Sequence, residues 1–133
     1  DAYNAAPRSV VAALEMLAQL PGRKIFVFGD MLELGERSAD LHREAGELCG
    51  KAGVDGIVTL GKWMVELSRA AAEQRKAPER ISHFIEISKL AAYLNQYLSK
   101  GDIVLVKGSR GMRMEKVMAA VEELRGARRR RID

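Results

Sequence analysis

Lys24–Glu36 reads KIFVFGDMLELGE, and this stretch decides the fold. Ile25, Phe26, Val27 and Phe28 form a short apolar run of β-forming residues that Gly29 closes. A strand apolar on both faces belongs inside a parallel sheet, because helices cover both sides of such sheets. The turn that follows is dense in acid, with Asp30, Glu33 and Glu36, and Gly35 is a second pivot. In open α/β sheets, ligands gather outside the carboxyl ends of strands, where loops converge. An acidic loop there can hold a metal ion, accept from an ammonium group, or be a solvated turn. The stretch alone leaves these three open.

Working outward, Asp1–Pro7 (DAYNAAP) is expected as a loop leading into a helix, with Asn4 as its cap and Pro7 in its first turn. Val10, Ala13, Leu14, Leu17 and Leu20 then recur at helical spacing, and Pro21-Gly22 stops the run. Beyond the acidic loop, residues 38–52 predict a second helix with Leu41, Ala45 and Leu48 on its buried side. His42 on that helix reads as a hydrogen-bonded structural or surface group rather than a catalyst. Gly56–Leu60 is a second strand, and Gly61 turns directly into a helix over residues 63–75, packed through Trp63, Leu67 and Ala70 or Ala71. Trp63 reads as core or rim packing, with stacking on a ligand the sharper alternative.

A third strand at Ile81–Phe84, a helix through Ile87, Leu90, Ala91 and Leu94, and a fourth strand at Ile103–Val106 complete the alternation. That last strand is expected to be buried on both faces. A helix over residues 114–124 follows it, and Arg125 onward reads as a charged, frayed tail. Strand alternating with helix four times predicts a doubly wound, mostly parallel α/β sheet with helices on both faces. Right-handed crossovers place the loops after Gly29, Gly61 and Gly108 on one edge.

Composition narrows the function classes. A chain of 133 residues, 47% hydrophobic, is one domain with a proper core. The formal charge is +4, but the final RGARRRRID holds five arginines and one acid, so the body is near neutral. A nucleic-acid reading would rest on Arg128–Arg131 alone, and no nucleic-acid partner is expected. The single cysteine, Cys49, excludes an internal disulfide and a zinc cluster, and reads as a small buried residue. No apolar run approaches a membrane span, and no signal-peptide pattern is present, so a cytoplasmic protein is the default expectation. The chain begins at Asp1 inside a motif, which suggests a piece of a longer protein.

The more specific chemical signal is KGSRG at Lys107–Gly111. Its glycines permit close backbone approach, while Lys107, Ser109 and Arg110 offer cation, hydroxyl and guanidinium before a helix. The free amides and dipole of a helix amino end favour an anion, with a solvated turn as the bland reading. No GxxxxGK[ST] loop and no GxGxxG fingerprint occurs. An acidic loop beside a basic one suits a zwitterion, or a phosphate-bearing ligand with an amine nearby. No nucleophile–base pair can be assembled, so a complete active site within this chain is not expected.

DAYNAAPRS, GRKIFVFGDMLELGERS, His42 and GDIVLVKGSRGMRMEKV together resemble, in order and spacing, the C-terminal domain of Mur ligases, over residues 1–124 with 125–133 as the tail. The resemblance implies a Rossmann-like domain of a three-domain bacterial enzyme of peptidoglycan precursor synthesis. GDMLELG and VKGSR point to the branch that joins D-alanyl-D-alanine to UDP-N-acetylmuramoyl-tripeptide with ATP and Mg2+. The metal and most of the phosphate machinery would belong to the central and N-terminal domains, the partners of this one. Asp1 matches the aspartate that meets the ATP ribose, and Tyr3 and Asn4 match neighbouring positions lining the nucleotide. Asp30, Glu33 and Ser109 match loops facing the dipeptide. Lys107 and Arg110 match positions facing a negative charge, that of the acyl phosphate or of the dipeptide carboxylate. The family commonly reads DSYNANP where this chain has Ala2 and Ala6, and an acid is usual where Arg8 stands. Side-chain contacts made at those three positions are therefore not carried over. The alternative reading is a free-standing nucleotide- or anion-binding module without catalysis.

Overall fold

The structure, a computed structural model, describes residues 2–32 and 34–132, with side chains described for 8–32, 34–109 and 111–126. Four parallel strands form one sheet: β1 (Lys24–Gly29), β2 (Gly56–Leu60), β3 (Arg80–Phe84) and β4 (Ile103–Lys107). Their order is β3-β2-β1-β4, so the apolar run of the acidic-loop strand lies in the interior of the sheet. The helices are α1 (Ala2–Ala18), α2 (Ser38–Lys51), α3 (Met64–Ala72), α4 (Ile87–Tyr97) and α5 (Glu115–Ile132). Short 3-10 turns at Gly35–Arg37 and Arg110–Met112 precede α2 and α5.

Period-two alternation splits β1 between two cores. Phe26 and Phe28 point to one face, where they meet Val10, Leu14 and Leu17 of α1, Leu41 and Ala45 of α2, and Met64 and Leu67 of α3. Ile25 and Val27 point to the other, against Leu90 and Leu94 of α4 and Val117 and Val121 of α5. Both phenylalanines are fully buried with ring centroids 5.1 Å apart. Burial of that kind is worth about 2–3 kcal/mol per side chain.

Four sequence expectations shift. The helix α1 already begins at Ala2 rather than after a DAYNAAP loop. Ala2, Ala5 and Ala6 are strong helix formers, and Pro7 withdraws only one donor from the ladder. The strand β4 is half-buried along its length, not enclosed on both faces, because it pairs with β1 alone and forms an edge. Leu20 falls past the end of α1 and is exposed. At the other terminus α5 continues past Leu124 into the arginine-rich stretch, where leucine, alanine and arginine all favour helix.

Candidate functional site

The chain leaves β1 toward the face that carries α2, and leaves the adjacent β4 toward the face that carries α5. Loops diverging from neighbouring strand ends make a topological switch point, the place where open α/β sheets bind ligands. GDMLELG and KGSRG are the two loops that meet there. The amino end of α1 reaches the same edge, because a helix preceding a parallel strand runs antiparallel to it.

Hydrogen bonds hold the first of these loops from three sides. Asp30 extends the sheet by donating its N–H to the Leu60 carbonyl at 3.1 Å. Met31 donates its N–H to Nε2 of His42 at 3.0 Å, and Leu32 donates its N–H to Oγ of Ser109 at 2.8 Å. The Ser109 N–H in turn reaches the Asp30 carbonyl at 3.3 Å. A Cβ at Gly108 would overlap Met114 and press tightly on the Gly29 backbone.

Asp30 is almost wholly buried, at 3% exposure, and its Oδ1 accepts the Trp63 N–H at 3.0 Å. The carboxylate therefore caps the amino end of α3, where orphan donors and the helix dipole favour negative charge. Burial pushes its pKa above the ordinary carboxylate range, against the pull of the Trp63 N–H. Gly61, at φ +120°, presses its Cα against that carboxylate, and a Cβ would overlap it.

His42 is fully buried, as the structural reading expected. Because Nε2 accepts from Met31, Nδ1 carries the proton, which it donates to the Ser38 carbonyl at 2.7 Å. Burial lowers its pKa, with the Ser38 carbonyl opposing, so the ring is held neutral. Trp63 is half-buried at the rim, stacked on His42 with ring centroids 6.1 Å apart. Lys62 is exposed, its Nζ 5.1 Å from the Trp63 ring. This lysine escaped the sequence reading; the signal was a cation directly after the Gly61 that ends a strand.

Lys107 is half-buried at the end of β4, in register with Phe28 and on the face of Leu105. Among the described residues no carboxylate lies within ion-pair distance of it. Asp1 and Glu33 lie outside the described residues. Tyr3 and Asn4 fall in the first two turns of α1, and Arg110 opens the 3-10 turn after KGS, but their side chains lie outside the described residues. The structure thus brings Asp30, Ser109 and Lys107 to one edge. It uses the Asp30 carboxylate and the Ser109 hydroxyl to hold backbone. Among the described residues no three His, Cys, Asp or Glu side chains converge to hold a metal ion. No helix there is long and apolar enough to cross a membrane.

The family described as "Mur ligase, glutamate ligase domain" matches residues 1–110. The chain belongs to the Mur ligase family. It is 37% identical over 120 residues to the UDP-N-acetylmuramoyl-tripeptide--D-alanyl-D-alanine ligase of Bacillus subtilis, covering 89% of this chain and 26% of that protein. The Escherichia coli ligase of the same name is 35% identical over 125 residues, covering 92% and 26%. Among solved Mur ligases, MurF from Acinetobacter baumannii superposes with a TM-score of 0.78 at 30% identity, over 91% of this chain and 27% of that one. MurF from Thermotoga maritima, solved in complex with ADP, gives 0.68 at 32% identity, over 91% and 26%. The chain therefore spans about a quarter of the length of the curated Mur ligases it matches, and its doubly wound sheet is that of their structures.

Proposed function

We propose that this chain is the C-terminal domain of the ATP-dependent ligase that joins D-alanyl-D-alanine to UDP-N-acetylmuramoyl-tripeptide in the bacterial cytoplasm. Residues 1–124 form the domain and 125–133 a basic tail. The observation that carries the reading is the meeting of GDMLELG and KGSRG at the switch point, in a chain whose relatives bear that ligase's name. In this reaction ATP converts the tripeptide carboxylate to an acyl phosphate. The dipeptide amine, having lost a proton, attacks the acyl carbon; a C–N bond forms and the C–O bond to phosphate breaks.

Lys107 and Arg110 are assigned to the negative charge of the acyl phosphate or of the dipeptide carboxylate. Lys107 has no carboxylate within ion-pair distance among the described residues, and a preorganised cation facing such a charge stabilises it without reorganisation. Asp1, Tyr3 and Asn4 are assigned to the nucleotide's ribose and base. Asp30, Glu33 and Ser109 are assigned to the dipeptide side of the site, Asp30 and Ser109 through the loops they hold. The described residues do not by themselves fit Mg2+, so its ligands are assigned to the central domain of the full-length protein.

The test uses the full-length enzyme with both substrates. Lys107→Ala is expected to lower kcat/KM by about a hundredfold, roughly 3 kcal/mol, with little change in Tm, because Lys107 makes no ion pair with a described residue. The 133-residue chain alone is expected to release no ADP. Near-normal turnover of Lys107→Ala with a clear fall in Tm would make the loop structural. ADP release by the isolated chain would overturn the division of labour among domains.

A further inference from the structure

We propose that Asp30 and His42 are positioning residues for ligation: they tie residues 30–32 to the elements around them at the carboxyl edge and touch none of the substrates. The inference rests on the ligase reading above and deepens it. An acid in a strand-end loop invites assignment as the partner of the dipeptide ammonium, and the geometry removes that role from Asp30. Its carboxylate is buried beneath Gly61, with Oδ1 bonded to the Trp63 N–H. His42 is fully buried, and both its ring nitrogens are engaged.

What these two side chains determine is the place of other groups. Asp30 ties the loop after β1 to the turn after β2, which presents Lys62 and Trp63. His42 ties the same loop to α2 through Met31 and Ser38. The amides of Asp30, Met31 and Leu32 all bond inward, so three consecutive residues are fixed. Ordering them costs about 1–2 kcal/mol of backbone entropy each, which the buried bonds must offset. A loop so held is preorganised, and a displacement of about 1 Å at such an edge costs up to a hundredfold in rate.

Conservative variants separate position from charge. Asp30→Asn keeps an oxygen that can accept from Trp63, and His42→Gln keeps one that can accept from Met31; Asp30→Ala and His42→Ala keep neither. In the full-length enzyme, His42→Ala is expected to lose amide protection at Met31 and Asp30→Ala at Trp63 in hydrogen–deuterium exchange, and in both the loss spreads across residues 30–32. Each should also raise the KM for D-alanyl-D-alanine by about tenfold or more. The Asn and Gln variants should restore protection and bring the KM to within about threefold of the parent.

If Asp30→Asn is as damaging as Asp30→Ala while protection is kept, the charge itself meets substrate and the proposal fails. Normal kinetics in both alanine variants would also overturn it. Should the alanine variants not fold, the Asn and Gln pair decides alone: near-parental KM supports positioning, and a large rise with intact protection refutes it. A parent enzyme that does not ligate the dipeptide would instead overturn the ligase reading, and the exchange measurement would still report on the clamp.

Discussion

At the carboxyl edge of the sheet, buried and mostly uncharged contacts hold the backbone; at the amino edge, half-exposed charges hold the strand ends together. Asp30, His42 and Ser109 each bind a main-chain N–H of a loop near the switch point. Arg23, just before β1, forks onto Asp102 before β4, at 3.0 and 2.6 Å, and also donates to the Tyr97 carbonyl at 2.8 Å. Its guanidinium lies 4.5 Å from the centre of the Tyr97 ring. Asp55 caps the Lys24 N–H at 2.7 Å in the same region. The difference is one of purpose. Ion pairs that tie two strand starts need no fixed height above the sheet, whereas a surface that receives ligands does. Buried, directional bonds to consecutive amides supply that height.

The carboxyl-edge clamp has no slack at Gly61. Alanine there would sit at φ +120°, a region that costs an L-residue about 1–3 kcal/mol, and its methyl would overlap the Asp30 carboxylate. Gly61→Ala is expected to lose about 3 kcal/mol or more of stability and to depress activity at temperatures where the protein is still folded. Denaturant unfolding and kinetics on one preparation read both. A variant with unchanged activity would show that the clamp does not govern the site.

The amino edge should respond less, and only in stability. Arg23→Ala leaves Asp102, 7% exposed, with the Ser99 N–H as its remaining hydrogen-bond donor. Arg23 itself is 38% exposed, so solvent screens the pair, and a loss of about 1–2 kcal/mol is expected. Activity per folded molecule should not change. A fall in kcat/KM below the unfolding transition would mean that the two edges are coupled through β1.

The sequence was informative wherever period and punctuation carried the message. Ile25–Phe28 announced an interior strand because each of its residues is apolar, and KGSRG announced a turn of unusual cation density. It was silent where a role depends on a partner distant in the chain. Nothing near Asp30 tells that its partner is the amide of Trp63, 33 residues on. Ser109 likewise reaches Leu32 across 77 residues. Both therefore read as ligand groups when taken locally. The edge position of β4 was hidden for a similar reason: an apolar run reports hydrophobicity, and only the strand order β3-β2-β1-β4 reports how many neighbours cover it.

The smallest expected effect is on the pH dependence of stability, and its sign follows from the clamp. His42 must be neutral to accept from Met31, and burial holds its pKa below the ordinary 6.5. The unfolded chain therefore takes up a proton before the folded one does. Stability is full above pH 6.5 and falls as pH drops toward the depressed native value. His83, lowered by burial and bonded through Nδ1 to Thr59 at 2.8 Å, adds a contribution of the same sign. Asp30 has the opposite sign, because its pKa is raised above 3.8 and protonation relieves its desolvation, so it offsets part of what the histidines lose. The depressed carboxyl of Asp102, held down by Arg23, loses its contribution lower still, below 3.8. As pH drops below 6.5 the two histidines lower Tm, and Asp30 opposes part of that fall. His42→Gln, which keeps the bond from Met31 but cannot titrate, should flatten that fall, leaving the part due to His83. An unchanged slope in His42→Gln would mean that the ring is not held neutral by the loop. The carboxyl edge would then be no more constrained in protonation than the amino edge is.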